Sequence, residues 1–199
     1  MPLKLPLSIE TQRLLLRLVE ETDISDLLEV NGDDRVTRFL PYATWQSLAD
    51  GKEWFDRLHA LNKTGTTLQF VIIEKESDHV IGSCLLFGYE EDSARAELGY
   101  VMGREQWQKG FTHEALSALI NYAFRECALR RLEAEVNPDN VASNRLLLKL
   151  GFTHEGRLRQ RWLAKGAIYD TNIYGLLRDE WLSLPLAIET GSTDTIGVR

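Results

Sequence analysis

Residues 100–115 read Tyr-Val-Met-Gly-Arg-Glu-Gln-Trp-Gln-Lys-Gly-Phe-Thr-His-Glu-Ala, and the hydrophobic period changes within them. Upstream, Ala94 to Met102 has the apolar pattern of a strand. Downstream from Thr112, the residues Ala115, Leu116, Leu119, Ile120, Ala123, Phe124 and Cys127 recur at i, i+3, i+4 and i+7, the signature of an amphipathic helix. A strand therefore runs through a polar loop into a strong helix. The first N–H groups of a helix lack intrahelical partners and lie at the positive end of its dipole. Lys109, Gly110, Phe111, Thr112 and His113 can thus donate to a pyrophosphate, with Gly110 admitting close approach and Lys109 adding charge. The loop matches neither GxxxxGK followed by Ser or Thr nor GxGxxG, so nucleotide hydrolysis and dinucleotide binding lose support.

Upstream of this junction, Leu68, Phe70 and Ile72 alternate toward the turn at Glu76-Ser77-Asp78. His79 to Phe87 is a further strand, joined to Ala94 to Met102 by the acidic turn around Tyr89 to Ser93. Ser47 to Leu61 spaces Leu48, Trp54, Phe55, Leu58 and Leu61 as a helix. Thr11 to Val19 is a strand, followed by Thr22 and Asp23 as N-cap residues for a helix carrying Ile24, Leu27, Leu28 and Val30. The four strands of this half are most simply antiparallel neighbours. Downstream, Arg131 to Val136 is a strand broken by Pro138, and Asn140 to Leu150 is a helix with Gly151 at C′. Thr153 to Trp162 and Ile168 to Leu177 close a hairpin at Lys165-Gly166. The order βααβββαβαββ predicts an α/β (α+β) fold. Its mixed central sheet has about seven strands, antiparallel in the first half, with a strand-helix-strand crossover in the second and about four flanking helices.

Composition bounds the function. The 199 residues are 44% hydrophobic and 27% charged, as in an ordinary globular chain, and residues 1–184 are expected to form one domain with a flexible tail at 185–199. Thirty acidic against 23 basic residues give a net charge of −7, which argues against nucleic-acid and membrane-surface partners and leaves any polyanion to be held by a local device. Cys84 and Cys127 stand apart from one another and read as small apolar residues, which excludes a disulfide scaffold and suits a reducing compartment. His113-Glu114 lacks the HExxH spacing and His59, His79 and His154 are scattered, so no metal site is expected. With no apolar stretch of membrane-spanning length and no signal peptide, a cytoplasmic protein is expected.

Four segments, in order, resemble the GNAT superfamily of acetyl-CoA-dependent N-acetyltransferases, and within it the RimJ/RimL-like group of ribosomal-protein-alanine acetyltransferases. Thr11-Gln12-Arg13-Leu14-Leu15-Leu16-Arg17 resembles the group's TxRLxLR opening, and Glu97 to Tyr100 with Trp107 to Ala115 resembles its cofactor loop. Asn140 to Ser143 through Lys149 to Phe152 resembles NxxSxxxxxKLGF, and Asp170, Tyr174, Glu180 and Trp181 resemble a closing D…Y…EW. The likeness spans roughly residues 10 to 182.

The resemblance implies a GNAT fold in which the parallel pair of strands is splayed and the pantetheine arm of acetyl-CoA lies in the gap. Tyr100, Val101 and Met102 would line that arm, Trp107, Gln108, Lys109, Gly110, Phe111, Thr112 and His113 would meet the pyrophosphate, and Asn137, Asn140 and Ser143 would approach from the next helix. It implies Ser143 as proton donor to the leaving thiolate and no metal. Three positions depart from the pattern: Q/R-x-x-G-x-G/A has Trp107 first and Thr112 last, and the glutamate used by some RimL-type enzymes falls at Trp162.

Glu97, ahead of Gly99 on a strand whose C-terminal end should face the thioester, is the candidate base, or else a solvated carboxylate, and Ser143 equally suits a helix N-terminus. Asn140 and Ser143, three apart, share one helical face. Arg38, Phe39, Tyr42, Trp162 and Tyr169 are candidates for the wall of the amine site, or for the core. An α-amine with a pKa near 7.8 is about 10 to 15% neutral at pH 7, whereas a lysine is neutral only about 0.04% of the time, a handicap of roughly 4 to 5 kcal/mol. The leading expectation is acetyl transfer to a protein N-terminal amine by direct attack in a ternary complex. The alternatives are a small amine such as an aminoglycoside or polyamine, and an idle CoA-binding or sensing module. A homodimer is compatible with the sequence, which names neither oligomeric state nor acceptor.

Overall fold

The computed structural model describes residues 3, 4 and 6–184. Strands β1 (Ile9–Glu10) and β2 (Leu14–Leu18) lead into helices α1 (Ile24–Asn31), α2 (Asp34–Thr37) and α3 (Leu48–Thr64). Strands β3 (Leu68–Glu74), β4 (His79–Glu90) and β5 (Arg95–Met102) precede helix α4 (Phe111–Arg125), β6 (Arg131–Val136) and helix α5 (Val141–Lys149). The hairpin β7 (Thr153–Ala164) and β8 (Ala167–Leu177) and a closing helix α6 (Arg178–Ser183) complete the described chain. One sheet holds all eight strands in the order β1-β2-β3-β4-β5-β6-β8-β7, antiparallel throughout except for β5 and β6.

This is the expected mixed sheet with its single parallel pair, one strand and two helices richer than the sequence pattern predicts. The additions, β1, α2 and α6, span two, four and six residues, too few to establish a hydrophobic period. The hairpin turns at Lys165 (φ 51°) and Gly166 (φ 74°) as expected. Asp23 does not cap α1. It lies in a preceding single helical turn and accepts the Glu20 amide at 2.8 Å and both guanidinium nitrogens of Arg17 at 2.6 and 2.7 Å. The tail expected at 185–199 lies outside the described residues.

The run of apolar residues in β3 serves two cores, because successive side chains point to opposite faces. Phe70 and Ile72 join Leu14, Leu16, Leu116, Leu119, Phe124, Leu132 and Leu147 on the α4 and α5 side. Val71 and Ile73 join Ile24, Leu27, Trp45 and Phe55 on the α1 and α3 side. Further along the sheet, Ala96, Leu98, Leu132 and Ala134 enter the first core, and the alternate residues Glu97, Glu133 and Glu135 take the other face, half-buried.

Pairing between β5 and β6 stops early. Their register covers Arg95 with Arg131, Ala96 with Leu132 and Glu97 with Glu133. Beyond it, β5 keeps β4 as partner to Met102, and β6 keeps β8 to Val136. The two strands part at the end where both lead into helices.

One side chain fixes the far wall of this gap. Asn144 of α5 donates through Nδ2 to the carbonyls of Asn137 (3.0 Å) and Asn140 (2.7 Å), and its Oδ1 accepts from Asn172 (2.8 Å) and Tyr174 (2.7 Å) of β8. The loop after β6, the start of α5 and β8 are thereby joined at one amide. Asn144→Leu, similar in volume, strands these partly buried partners, each loss costing about 1 to 3 kcal/mol. A total near 3 kcal/mol lowers the thermal midpoint by about 6 to 12 °C in a domain of this size. A scanning-calorimetry shift under about 3 °C would show that the hub is replaceable by solvent.

Candidate active site

The mouth of the gap is the loop from β5 to α4. Gln108 (φ 62°) and Gly110 (φ 82°) are left-handed, turning successive amides to one side, and Gly110 stands at the N-cap of α4 with no side chain to occupy the first-turn amides. The loop is braced from beneath by the opening motif. The Glu114 carboxylate accepts from Thr11 Oγ1 (2.6 Å), the Arg13 amide (2.9 Å) and Arg13 Nε (2.6 Å). Arg13 Nη1 donates to the Lys109 carbonyl at 3.0 Å, with its guanidinium 4.3 Å over the Phe111 ring. Burial pushes the Glu114 carboxyl up, but these hydrogen bonds outweigh it and hold the group below the ordinary glutamate range. A Cβ on Gly110 would lie 3.4 Å from Arg13 Nη2, so guanidinium and helix dipole act on the same spot. The donor set of amides, Arg13 and exposed Lys109 fits a pyrophosphate.

Trp107, the departure from the family pattern, donates from Nε1 to the Met102 carbonyl at 2.9 Å and closes the top of β5. Across the gap, Asn140 caps α5 by accepting the Ser143 amide at 3.2 Å, so Ser143 is the capped residue and not the cap. Asn137 turns its Oδ1 back to the Asp139 amide at 2.9 Å. The Tyr100 hydroxyl projects to this side. Burial pushes its phenol up to about 12, while the neighbouring Ser143 hydroxyl draws it down. His113 is half-buried, and burial followed by Lys149 lowers its pKa.

On the opposite face of the sheet, carboxylates and arginines interleave. Glu133 binds Arg95 Nη1 (2.6 Å) and Arg131 Nε (2.7 Å), and Arg131 continues to Glu155. Glu135 accepts the Trp162 indole N–H (2.7 Å) and Arg161 (3.3 Å). Glu97, at the last position where β5 pairs with β6, is joined directly to none of these arginines. Its Oε1 lies beside Gly88 (φ 58°), where a Cβ would come within 3.2 Å. Burial, then the charges of Glu135 and Glu133, raise the Glu97 carboxyl above the ordinary range.

The five residues expected at the amine wall divide. Trp162 and Tyr169 face one another across the hairpin, and Lys165 at its tip donates to the Thr37 carbonyl at 2.6 Å, drawing Arg38 and Phe39 toward it. Arg38 stacks on Phe39 at 5.0 Å. Tyr42 instead packs on the second core and donates to Asn31 at 2.9 Å, with burial raising its phenol pKa. A bulge between Leu158 and Trp162 shifts the register before Trp162. Asp170 pins that bulge by accepting the Gln160 amide and Arg157 Nε, each at 2.9 Å. Arg13, Glu114, Glu135 and Asn144 carry much of this geometry without having been singled out in the sequence. The longest link of each spans 27 to 103 residues, and only the TxRLxLR and NxxSxxxxxKLGF segments hinted at two of them. Among the described residues, no group of three or more His, Cys, Asp or Glu side chains could hold a metal, and no helix is long and apolar enough to cross a membrane.

Comparison with known proteins gives this geometry its family. The profile described as Acetyltransferase (GNAT) domain matches residues 13–153. The N-acetyltransferase p20 of Bacillus licheniformis is 36% identical over 174 residues, covering 87% of this chain and 98% of that protein. The ribosomal protein uS5-alanine N-acetyltransferase of Escherichia coli is 30% identical over 182 residues, covering 87% and 92%. A GCN5-related N-acetyltransferase from Brucella melitensis superposes with a TM-score of 0.81 at 24% identity, covering 90% of this chain and 83% of that one. A Vibrio cholerae spermidine N-acetyltransferase solved with CoA and spermine gives 0.76 at 20% identity, covering 86% and 99%, a likeness of fold. With a parted parallel pair, a helix N-terminus at its mouth and these relatives, the chain belongs to the GNAT family and is an N-acetyltransferase of the RimJ-like kind.

Proposed function

We propose that this chain acetylates the α-amine of a protein or peptide N-terminus by direct attack on acetyl-CoA in a ternary complex. One observation carries the choice of acceptor: on the open face of the sheet, Glu133 and Glu135 are matched by arginines and Glu97 alone is not. A polyamine presents several ammonium groups and calls for several uncompensated carboxylates. A single unmatched carboxylate, with Arg38 and Arg161 exposed nearby in the fold, suits one amine at the head of a chain. The similarity to an enzyme named for a ribosomal-protein alanine supports the same reading.

The residues divide the work by face. Amides of Gln108 to His113, with Arg13 and Lys109, hold the pyrophosphate. The strand amides freed at Tyr100 to Met102 and the side chains of Asn137 and Asn140 line the pantetheine arm and polarise the thioester carbonyl. Glu97 takes the proton that the attacking amine loses. Its raised pKa brings it closer to neutrality and makes it a better base than an ordinary glutamate. Ser143 donates to the departing sulfur. An alcohol is a far weaker acid than a thiol with a pKa near 8.5, so this donation stabilises the thiolate as a hydrogen bond. A free-thiol release assay with N-terminal peptides, spermidine and an aminoglycoside separates the acceptors. Turnover confined to the small amines would overturn the peptide reading.

Gly110→Ala places a Cβ at φ 82° and against Arg13, straining the loop by about 1 to 2 kcal/mol. Acetyl-CoA affinity is expected to fall at least tenfold by calorimetry, with the thermal midpoint of the free protein lowered by only a few degrees. Unchanged affinity would make the loop a plain connection.

Glu97→Gln keeps shape and removes the base. Glu97 accepts a proton only when ionised, and its carboxyl titrates above the usual range, so kcat/KM of the wild type rises with pH through that elevated value. The variant lacks this limb and keeps only that of the amine, near pH 7.8. For an α-amine acceptor the loss at pH 7 is about tenfold or less and is mostly recovered toward pH 9. A large loss persisting at pH 9 would assign Glu97 to substrate binding instead.

A further inference from the structure

We propose that Tyr100 is a positioning residue that aims the Ser143 hydroxyl at the departing sulfur by donating a hydrogen bond to Ser143 Oγ. This rests on the reading of Ser143 above. The Tyr100 hydroxyl is buried and closes no hydrogen bond of good geometry among the described residues, a rarity that calls for an explanation in a folded protein. Its neighbours are committed elsewhere. The Tyr174 hydroxyl donates to Asn144 Oδ1 at 2.7 Å, and that oxygen also accepts from Asn172 at 2.8 Å. Asn144 Nδ2 serves the carbonyls of Asn137 and Asn140. Ser143 is left. Its hydroxyl interacts with the phenol, yet at a geometry short of a full hydrogen bond, as is common where catalytic contacts tighten only once substrate is bound.

A serine hydroxyl carries one proton and two lone pairs. If Tyr100 donates into one lone pair, the serine proton must point away from the phenol, and a hydrogen bond received by an oxygen strengthens the one it gives. Burial keeps the phenol protonated across the working pH range, so it can donate to Ser143 without titrating. Position adds to this. Tyr100 lies on β5 three residues beyond the last pairing with β6, and Ser143 is fixed in the first turn of α5 by the Asn140 cap, so the two hydroxyls meet from opposite walls of the gap. The balance of the step is unaltered: the carbon–sulfur bond breaks, its electron pair stays on sulfur, the proton of the amine leaves on Glu97, and Tyr100 neither gains nor loses a proton.

Tyr100→Phe, Ser143→Ala and the double variant test this in the full chain, with kcat from thiol release, acetyl-CoA Kd from calorimetry and the thermal midpoint. Tyr100→Phe is expected to lower kcat about tenfold with Kd changed less than about twofold, and to leave the midpoint unchanged or raised, because the hydroxyl removed had no complete partner. In the Ser143→Ala background the same change should cost nothing further. A loss of kcat that is equal in both backgrounds, a parallel weakening of Kd, or a kcat unmoved by Tyr100→Phe while Ser143→Ala slows turnover would overturn the positioning role and leave Ser143 standing. If Ser143→Ala leaves kcat intact, the donor assignment falls, and a defect confined to Tyr100→Phe would mean that the phenol acts directly.

Discussion

The parting of β5 from β6 is the constraint on which the rest of the molecule depends. After Glu97 and Glu133 the parallel ladder ends although both strands continue, and the backbone groups along the separated edges forgo hydrogen bonds worth about 0.5 to 1.5 kcal/mol each in net stability. The fold offsets this by holding each strand from its other side: β5 by β4 as far as Met102, β6 by β8 as far as Val136. The gap is then propped from within. Trp107 takes up the Met102 carbonyl, Thr171 Oγ1 lies 3.4 Å from that of Val136, and Asn144 ties the loop after β6 to β8. A groove kept open by rigid elements positions a flexible ligand more closely than a loop would, which is the main requirement of a reaction driven by proximity.

What was legible in the sequence was what repeats. The periods of two in β5 and β6 and of about 3.6 in α4 survive in a single chain because burial of one face enforces them, and the strand Arg131–Val136 falls where the pattern puts it. The position of the loop was legible as well, since the strand and helix patterns meet there and Gly110 stands at the N-cap of α4. The scaffolding contacts were not. Thr11 and Arg13 meet Glu114 about a hundred residues later, and Arg161 and Trp162 reach back to Glu135. No local rule couples such positions. The closing D…Y…EW residues illustrate the point: Asp170 holds a bulge, Tyr174 serves Asn144, Glu180 accepts the Leu177 amide at 2.9 Å to start α6, and Trp181 fills the core.

Charge is handled locally and not by composition. A net charge of −7 repels a polyanion at long range, but screening within about 8 to 10 Å leaves the decision to the nearest groups. At the loop these are amides, a helix dipole and an arginine whose own countercharge, Glu114, lies behind it in the first turn of α4. On the other face, interleaved arginines pair with Glu133 and Glu135, and the Glu97 carboxyl is raised first by burial and then by the charges of Glu135 and Glu133. The position Trp162, where a RimL-like glutamate was absent, is part of that arrangement, since its indole orients Glu135.

The placement of the nucleophilic side chains bears on whether acetyl passes through the enzyme. Cys84 lies wholly in the core, where burial pushes its thiol pKa up and removes the thiolate needed for attack. Cys127 lies just past the C-terminal end of α4, about 22 Å of helix from the loop at Gly110. Neither can reach a thioester held in the gap without unfolding an element of the core. The sheet instead offers two approaches to one carbon: the helix side through the Tyr100 and Ser143 wall, and the open side past Glu97. On the proposed reading, an amine and a thioester entering from opposite faces would meet without an acyl carrier, with the proton and the leaving sulfur departing on separate sides, so that neither competes for the group that serves the other.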